Sequence, residues 1–404
     1  MKVLIVNTSK TIGGAAIAAS RLATALQKAG IDVAFVSRTK KFPSFYWERF
    51  VIYAKNKFSR KNLFAVDIAN AGQDITLDKA FQEADIVHLH WVNQGFLSLH
   101  ILDKIFKSGK PVVWTMHDMW PCTAICHHAK DCNRFMSECK YCNLLQEPSS
   151  TDMANAVFQS KKQIYSKARL NIVAVSTWLA DKVCSSVLLR DKPVDVIPNT
   201  ISLEQFDMLP KNKSRQKLGL PIDRHLIIFG AARLDDSIKG FEFLVAALNT
   251  LVKKGMGNLH LALFGNIKNA KDKFLSAIPV PYTYFGLVNE SMLPEMFSAA
   301  DVAVSASYYE TFGLTLIEAQ ACGCIPVSFN NSGQTDIIQH KINGYLAKYK
   351  SSDDLANGIE WALTEGHESV NPVQLRQSVI EKYSDSVVAR RYVDLYEKLK
   401  KQNK

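Results

Sequence analysis

Short apolar runs alternate with helical patterns along the whole chain, and this alternation constrains its fold more than any other feature. Each run is apolar at successive positions, which is typical of strands in a parallel sheet covered on both faces. In the first half the runs are Val3–Val6, Val33–Val36, Ile86–Trp91, Val112–Met116, Ile172–Val175 and Val194–Ile197. In the second half they are Leu226–Phe229, Leu259–Phe264, Tyr282–Phe285, Val302–Ser305 and Ile325–Phe329. Two successive sets of this kind predict two doubly wound, Rossmann-like α/β domains.

The break between the two predicted domains lies near residues 198–213. Pro198-Asn199 interrupts the alternation, and residues 210–213 are mostly polar. We therefore expect an N-terminal Rossmann-like domain over residues 1–200 and a C-terminal one over residues 214–384. Ligands of such sheets bind beyond the carboxyl ends of the strands, so the cleft between two facing domains is the expected active site.

Composition and charge narrow the function classes. The chain has 404 residues, of which 47% are hydrophobic and 22% charged, and this composition excludes a disordered or fibrous protein. It contains no apolar stretch of the roughly 18 residues that a membrane span needs, and Met1–Asn7 resembles a buried strand more than a signal peptide, so we expect a cytoplasmic protein. The net charge of +11 predicts an anionic partner, whether nucleotide phosphates, acidic lipid headgroups or nucleic acid.

The segment Glu310–Glu318 carries the strongest chemical signal. It follows a predicted strand, opens a predicted helix and contains two carboxylates eight positions apart. Gly313 allows close approach of a ligand to the backbone, and the amino end of the helix can hold a phosphate. The carboxylates could then accept hydrogen bonds from sugar hydroxyls on either side of a bound diphosphate. The alternative is a surface helix with two solvated glutamates.

Residues 310–327 resemble the E-x7-E region of the retaining GT-B glycosyltransferases of family 4, also called glycosyl transferases group 1, and the resemblance extends over essentially the whole chain. It implies a GT-B fold, in which two Rossmann-like domains face each other across a cleft. It also implies that Glu310 contacts the transferred sugar and Glu318 the ribose. The diphosphate would be bound by backbone amides of Phe312, Gly313 and Leu314.

Two glycine-containing segments extend the resemblance. Residues 230–240 are similar to the family's Gly-x-x-Arg-Leu…Lys-Gly segment, which implies that Arg233 and Lys239 bind the donor diphosphate. Fixed cations there would stabilise the charge that grows on the leaving phosphate. The alternative is two exposed basic residues. Gly13-Gly14 resembles the family's loop beside the donor phosphates, although a lone glycine pair is usually only a turn.

His117 follows the predicted strand Val112–Met116 and therefore lies at the carboxyl edge of the sheet. The resemblance implies that it reaches toward the donor sugar, which completes the expected catalytic set of His117, Arg233, Lys239 and Glu310. A structural histidine is the alternative. Strand alternation places His88 and His90 on one face, where they could line the acceptor side or stabilise the core.

Residues 114–123 resemble a polysaccharide-assembly subgroup that includes the colanic acid transferases, in which a cysteine-rich insertion follows. Here the insertion covers residues 122–142. Its last four cysteines have the spacing C-x5-C-x6-C-x2-C, which could bind one structural Zn²⁺: Cys126, Cys132, Cys139 and Cys142. Reduced thiols packed in the loop and a disulfide are the alternatives, and a catalytic zinc is not expected. Cys184, Cys322 and Cys324 are predicted core residues.

The segment Lys40–Lys61 interleaves basic and aromatic side chains. This pattern suits an anionic membrane surface, and the subgroup's acceptor is often a lipid-linked saccharide, so the protein could lie peripherally on the inner face of the membrane. The alternative is a solvated helix packed by its aromatic stripe. Residues 385–404 form a predicted helix that, by resemblance, packs back on the first domain.

The sequence thus predicts a retaining, metal-independent glycosyltransferase of cell-surface polysaccharide biosynthesis. It would use a nucleotide-sugar donor and no catalytic cofactor, and we expect no nucleic-acid partner. Three alternatives remain. These are a nucleotide-sugar epimerase on the same fold, a basic nucleic-acid-binding protein and an inactive membrane-bound scaffold.

Overall fold

The computed structural model describes residues 1–38 and 43–402. They form two compact units, one of residues 1–200 together with the chain from Val388 onward, and one of Ile201–Val387. Each unit contains a six-stranded sheet whose paired strands all run parallel. The two doubly wound sheets confirm the predicted fold class.

The sheet of the N-terminal unit has the strand order β2-β1-β3-β4-β5-β6. Its strands are β1 (Lys2–Val6), β2 (Asp32–Val36), β3 (Ile86–Leu89), β4 (Val112–Met116), β5 (Leu170–Ala174) and β6 (Val194–Val196). Its helices are α1 (Gly14–Lys28), α2 (Ser44–Lys55), α3 (Lys79–Glu83), α4 (Leu99–Lys107), α5 (Met153–Lys167) and α6 (Thr177–Ser185). Helices α4, α5 and α6 are capped at their amino ends by Ser98, Asp152 and Ser176, whose side chains each accept a hydrogen bond from a first-turn amide.

The sheet of the C-terminal unit has the order β12-β11-β10-β7-β8-β9. Its strands are β7 (His225–Arg233), β8 (Leu259–Asn266), β9 (Tyr282–Tyr284), β10 (Val302–Ser305), β11 (Ile325–Phe329) and β12 (Tyr345–Ala347). Its helices are α7 (Lys211–Leu218), α8 (Phe241–Lys253), α9 (Lys271–Ser276), α10 (Leu293–Ala299), α11 (Leu314–Ala321), α12 (Ser352–Leu363), α13 (Glu365–Ser369) and α14 (Pro372–Tyr383). The central strand β10 is followed in the chain by α11.

The last helix, α15 (Asp385–Gln402), packs on the N-terminal unit from Val388 onward. It contributes Val388, Tyr392 and Tyr396 to the core that also contains Val3 and Ile5 of β1. Apolar side chains at helical spacing explain this packing, because they place one continuous stripe of α15 against the sheet.

All eleven predicted strands are present, with small differences at their ends. The apolar run Ile86–Trp91 is two residues longer than β3, because the backbone N–H of Trp91 donates to Asn7 Oδ1, at 2.8 Å, instead of continuing the ladder. The edge strand β12 was not predicted, since its three residues carry too little periodicity. No helix among residues 1–38 and 43–402 has the length and apolar character to cross a membrane.

Candidate functional site

Glu310 lies just beyond the carboxyl end of β10, where three groups hold it. Lys239 Nζ is 2.6 Å from Glu310 Oε1, and the hydroxyl of Ser307 donates to the same oxygen at 2.8 Å. The backbone N–H of Glu310 donates to Ser332 Oγ at 3.0 Å. The structure therefore brings together the predicted sugar-binding carboxylate and one predicted phosphate-binding cation. Ser307 and Ser332 were not predicted, although both lie just beyond the carboxyl ends of neighbouring strands.

Gly240 explains why Lys239 reaches Glu310. This glycine has φ 64°, and a Cβ atom built on it would lie 2.0 Å from the carbonyl oxygen of Ala306. The loop that carries Lys239 therefore lies directly against the residue after β10. Any side chain at position 240 would force the loop and Lys239 away from Glu310.

The amino end of α11 lies next in the chain. Gly313 precedes the helix with φ 112°, a left-handed conformation that favours glycine. Phe312 is buried and packs edge-on against Tyr383, with ring centroids 5.7 Å apart, which fixes the direction in which the helix starts. Leu314 is the first helical residue, and Glu318 is buried on the next turn. Backbone amides and the positive end of α11 thus lie within a few residues of Glu310.

Arg233 ends β7 and has a different partner. Its Nε donates to Asp235 Oδ1 at 3.0 Å, while Asp235 Oδ2 accepts hydrogen bonds from the backbone and side-chain nitrogens of Asn269. Asp235 thus links Arg233 to the loop after β8. Sequence reasoning missed both Asp235 and Asn269, although Asp235 is only two residues from the arginine.

The predicted residues of the N-terminal unit lie beyond the carboxyl ends of β1 and β4. Gly13 has φ 94° and precedes α1, and Gly14 is its first residue. A Cβ atom added at either glycine would have no heavy-atom neighbour within 4 Å, so the surroundings of this turn are open. His117 follows β4, and its Nε2 is 2.9 Å from Nδ1 of His90.

Burial lowers the pKa of His117 to about 4, against the opposing charge of Asp118. Burial also lowers the pKa of His90 well below its ordinary value. Both imidazoles are therefore neutral at pH 7, and their shared hydrogen bond needs one ring to donate and the other to accept. A neutral His117 can offer a hydrogen bond without adding positive charge.

His88 belongs to the core and not to an open site. Its Nε2 is 2.7 Å from Thr115 Oγ1, and its Nδ1 is 2.7 Å from the hydroxyl of Tyr396. Tyr392 completes the group through a 2.9 Å hydrogen bond to Thr115. These contacts tie α15 to β3 and β4, and they favour the structural interpretation of His88.

A buried charge network next to His117 was not predicted. His127 of the insertion lies between two carboxylates, with Nδ1 2.6 Å from Asp118 Oδ2 and Nε2 2.6 Å from Asp67 Oδ2. Asp67 also pairs with Arg49. The two carboxylates outweigh burial and raise the pKa of His127 to about 10, so its ring is an imidazolium at pH 7. This group, which we call the His127 clamp, fixes the residue that follows His117.

The structure does not support the predicted zinc site. All eight cysteines lie within the described ranges and are free, so none of them forms a disulfide, and the four candidate ligands line a cavity of about 560 Å³: Cys126, Cys132, Cys139 and Cys142. Within residues 1–38 and 43–402, no group of three or more His, Cys, Asp or Glu side chains is arranged to hold a metal ion. The four thiols line this cavity without forming such a group.

Hydrogen bonds secure the insertion. The buried Lys161 donates from Nζ to the carbonyl oxygens of Trp120, at 2.6 Å, and Thr123, at 3.1 Å. Together with the His127 clamp, these bonds attach the start of the segment to the unit. Cys322 and Cys324 are buried as predicted, but the prediction for Cys184 was wrong, because its side chain is exposed on α6.

Two family models match consecutive parts of the chain. The model described as Glycosyltransferase Family 4 matches residues 12–205, and the model described as Glycosyl transferases group 1 matches residues 210–382. Both are glycosyltransferase families, so neither supports the epimerase or nucleic-acid alternative.

Curated relatives with low sequence identity to this chain are also glycosyltransferases by name. An uncharacterized glycosyltransferase of Methanocaldococcus jannaschii is 29% identical over 56% of this chain and 59% of its own length. A D-inositol 3-phosphate glycosyltransferase of Paenarthrobacter aurescens is 25% identical over 86% of this chain and 84% of its own. The N,N'-diacetylbacillosaminyl-diphospho-undecaprenol alpha-1,3-N-acetylgalactosaminyltransferase of Campylobacter jejuni is 29% identical over 52% of this chain and 56% of its own. The chain thus spans less than two thirds of the first and third of these relatives.

The solved structure of a sucrose-phosphate synthase from Thermosynechococcus elongatus shares the fold. It superposes with a TM-score of 0.70 at 18% identity and covers 98% of both chains. The two parallel sheets, the carboxylate-bearing turn before α11 and the two matched family models lead to one assignment. The chain belongs to the group 1 glycosyltransferases of family 4 and is a glycosyltransferase with the GT-B fold.

Proposed function

We propose that this glycosyltransferase transfers a sugar, with retention of configuration, from a nucleotide-diphosphate sugar to a saccharide acceptor in cell-surface polysaccharide biosynthesis. The observation that carries the donor site is the Lys239–Glu310 pair beside Gly313. A cation, a carboxylate and the positive end of a helix lie beyond the neighbouring strands β7 and β10, and a nucleotide-diphosphate sugar offers a complementary group for each.

Different residues of the C-terminal unit bind different parts of the donor. Lys239 and Arg233 bind the diphosphate together with backbone amides of residues 312–314, and Glu318 binds the ribose. Glu310 then accepts hydrogen bonds from the sugar hydroxyls. Because Lys239 and Arg233 each contact a carboxylate in the structure, both are already oriented before the donor arrives. Such orientation lowers the entropy lost on binding.

The chemistry follows from the charge that develops on the donor. As the bond from the anomeric carbon to the diphosphate breaks, negative charge grows on the leaving phosphate beside Lys239 and Arg233, and both cations stabilise it. The acceptor hydroxyl oxygen bonds to the anomeric carbon on the same face. Its proton passes to the leaving phosphate oxygen, so the transfer needs neither a protein nucleophile nor a metal ion.

The N-terminal unit, over residues 1–200, is assigned to the acceptor side, and residues 214–384 are assigned to the donor. Neutral His117 donates a hydrogen bond to the transferred sugar, and Gly13 and Gly14 leave the turn before α1 open for substrate. The Campylobacter jejuni relative carries a diphospho-undecaprenol acceptor in its name. We therefore favour a lipid-linked saccharide as the acceptor of this chain.

A nucleotide screen tests the donor site. The melting temperature is measured with UDP, GDP, ADP and dTDP and with their sugar conjugates, since a ligand that binds the folded protein raises it. One nucleotide should stabilise the wild type, and Lys239→Met should reduce the shift. Lys254→Met is the matched control, because Lys254 also pairs with a glutamate, Glu360, at 2.6 Å in the same unit.

The result decides whether Lys239 binds the donor or only pairs with Glu310. An equal loss in both variants, or no shift with any nucleotide in a folded wild type, would place the donor elsewhere. With the donor base known, transfer to acceptor saccharides is followed by mass spectrometry, and NMR of the product gives its anomeric configuration. An inverted product would refute retention.

A further inference from the structure

Helix α2 faces the protein with its polar side and the solvent with its aromatic side. Its buried residues are Ser44, Glu48, Arg49 and Ile52. Three large aromatic side chains of the same helix are between 56% and 75% exposed: Tyr46, Trp47 and Phe50. A surface helix of a globular protein normally has the opposite arrangement, with its apolar stripe against the core.

The polar side of α2 is firmly attached. Glu48 Oε1 accepts hydrogen bonds from the backbone N–H groups of Ile68, at 2.9 Å, and Ala69, at 2.6 Å. Arg49 donates to the carbonyl oxygens of Leu63, at 2.6 Å, and Val66, at 2.9 Å. The helix therefore cannot roll to bury its rings without breaking several buried, charge-assisted hydrogen bonds.

The exposed rings continue beyond the helix. Phe58 and Phe64, in the segment that follows α2, are 67% and 65% exposed. Within the helix the rings of Trp47 and Phe50 lie 6.0 Å apart, so these two exposed rings lie side by side. Exposed apolar side chains concentrated on one surface segment mark an interaction site. We call these five side chains the aromatic face: Tyr46, Trp47, Phe50, Phe58 and Phe64.

The segment that carries the aromatic face also carries exposed basic side chains. Lys55, Lys57, Arg60 and Lys61 are all exposed, and Lys57 pairs with the exposed Glu147 at 3.3 Å. Two further lysines of the predicted basic segment, Lys40 and Lys41, lie outside the described residues. An anionic bilayer surface accepts both kinds of side chain, because aromatic rings enter its headgroup region and lysines and arginines contact its anionic lipids.

We propose that the aromatic face docks this chain on the surface of an anionic lipid bilayer. A second copy of the chain is a poorer occupant, because a two-fold interface would bring the same basic groups opposite one another. The inference rests on α2 and its surroundings and not on the donor site, so either can fail without the other. Such docking would bring the chain to the membrane that holds the proposed lipid-linked acceptor.

Vesicle co-sedimentation of the full chain tests the proposal. Vesicles of phosphatidylcholine with phosphatidylglycerol should bind the wild type, and vesicles of phosphatidylcholine alone should bind it more weakly. Trp47→Ser with Phe50→Ser should weaken binding to the anionic vesicles by about tenfold or more, since two rings no longer leave water. Replacement of Lys55, Arg60 and Lys61 by Gln should reduce binding and its dependence on salt.

The matched control is the double variant Leu77→Ser with Ile222→Ser, which removes two exposed apolar side chains away from α2. It should bind vesicles as the wild type does. Circular dichroism and the nucleotide-induced melting shift confirm that each variant is folded and has a donor site. Failure of the wild type to bind anionic vesicles, or equal binding by the Trp47/Phe50 variant, would overturn the proposal. So would sedimentation of the wild type as a dimer that the same substitutions convert to a monomer.

Discussion

The substitution His127→Gln should destabilise the N-terminal unit by several kcal/mol. The His127 side chain is 13% exposed and lies between Asp67 and Asp118, which are buried. A neutral amide in its place leaves two buried carboxylates without their shared cation. Breaking one side of a buried ion pair costs about 3–5 kcal/mol in measured cases.

The pKa of His127 gives a second, independent magnitude. It rises from the ordinary value of 6.5 to about 10 in the folded protein, chiefly because Asp118 and Asp67 outweigh burial. At pH 7 a rise of this size corresponds to roughly 4 kcal/mol of stability, at about 1.4 kcal/mol per tenfold change. Since Asp67 keeps its contact with Arg49, we expect a loss of about 3–4 kcal/mol.

The pH dependence has a definite sign. A group whose pKa is raised on folding stabilises the protein fully below its unfolded pKa and loses that contribution as the pH rises through the folded value. The difference in unfolding free energy between wild type and His127→Gln should therefore shrink between about pH 6.5 and about pH 10. On the acid side it should fall again below the ordinary value of 3.8 for Asp118, whose pKa is lowered to about 2 as His127 outweighs the effect of burial.

Urea unfolding followed by tryptophan fluorescence measures this loss, because five of the six tryptophans lie in the N-terminal unit: Trp47, Trp91, Trp114, Trp120 and Trp178. His100→Gln, at an exposed position of α4, is the control and should change the free energy by less than about 0.5 kcal/mol. If the two variants differ by less than about 1 kcal/mol, or if the difference is the same at pH 6.5 and pH 10, the charged clamp is refuted.

Three further predictions concern the donor site and the insertion. Glu310→Gln should lower kcat/KM by about a hundredfold at unchanged melting temperature. The neutral amide loses both the ion pair with Lys239 and the negative charge that faces the sugar. An equal loss of kcat/KM in the control variant Glu360→Gln would contradict this. Gly240→Ala should destabilise the C-terminal unit by about 2 kcal/mol and reduce the nucleotide-induced melting shift, since its Cβ would strike the Ala306 carbonyl; a wild-type shift would show that this contact is unimportant. Chelation with EDTA should leave the melting temperature unchanged and release no zinc, as measured by elemental analysis. One zinc ion per chain would contradict this and support a zinc site in the insertion.

The fold could be predicted because its signal is local. Most strands of the two sheets are apolar runs of four or more residues with a turn on either side, and such runs depend on neighbours in the sequence. The misjudged end of β3 depends on a residue far away in the sequence, because Asn7 takes the N–H of Trp91. Periodicity carries no information about such a bond.

In the candidate site, too, single segments could be identified from the sequence, but contacts between distant segments could not. Lys239 and Glu310 were each identified from their own segment, but their contact joins residues 71 positions apart and needed the structure. The His127 clamp joins Asp67 to a residue 60 positions later, and no motif contains both. For the four insertion cysteines, the spacing showed that suitable ligands are present. Whether the thiols form a metal-binding group depends on the path of the loop, and here they line a cavity without forming one.

Helix α2 shows why a correct helix prediction can leave its orientation open. Each exposed ring forgoes roughly 1.5–3 kcal/mol of burial, which favours turning the aromatic side inward. Glu48 and Arg49 oppose this, because they bond backbone groups of three buried residues, Val66, Ile68 and Ala69, and of the half-buried Leu63. An unsatisfied buried group costs about 1–3 kcal/mol, and breaking the buried Arg49–Asp67 pair costs about 3–5 kcal/mol, so three such groups and the pair together exceed the gain from burying three rings. The polar contacts therefore decide the orientation, and the rings that remain in water are those that a lipid surface would accept.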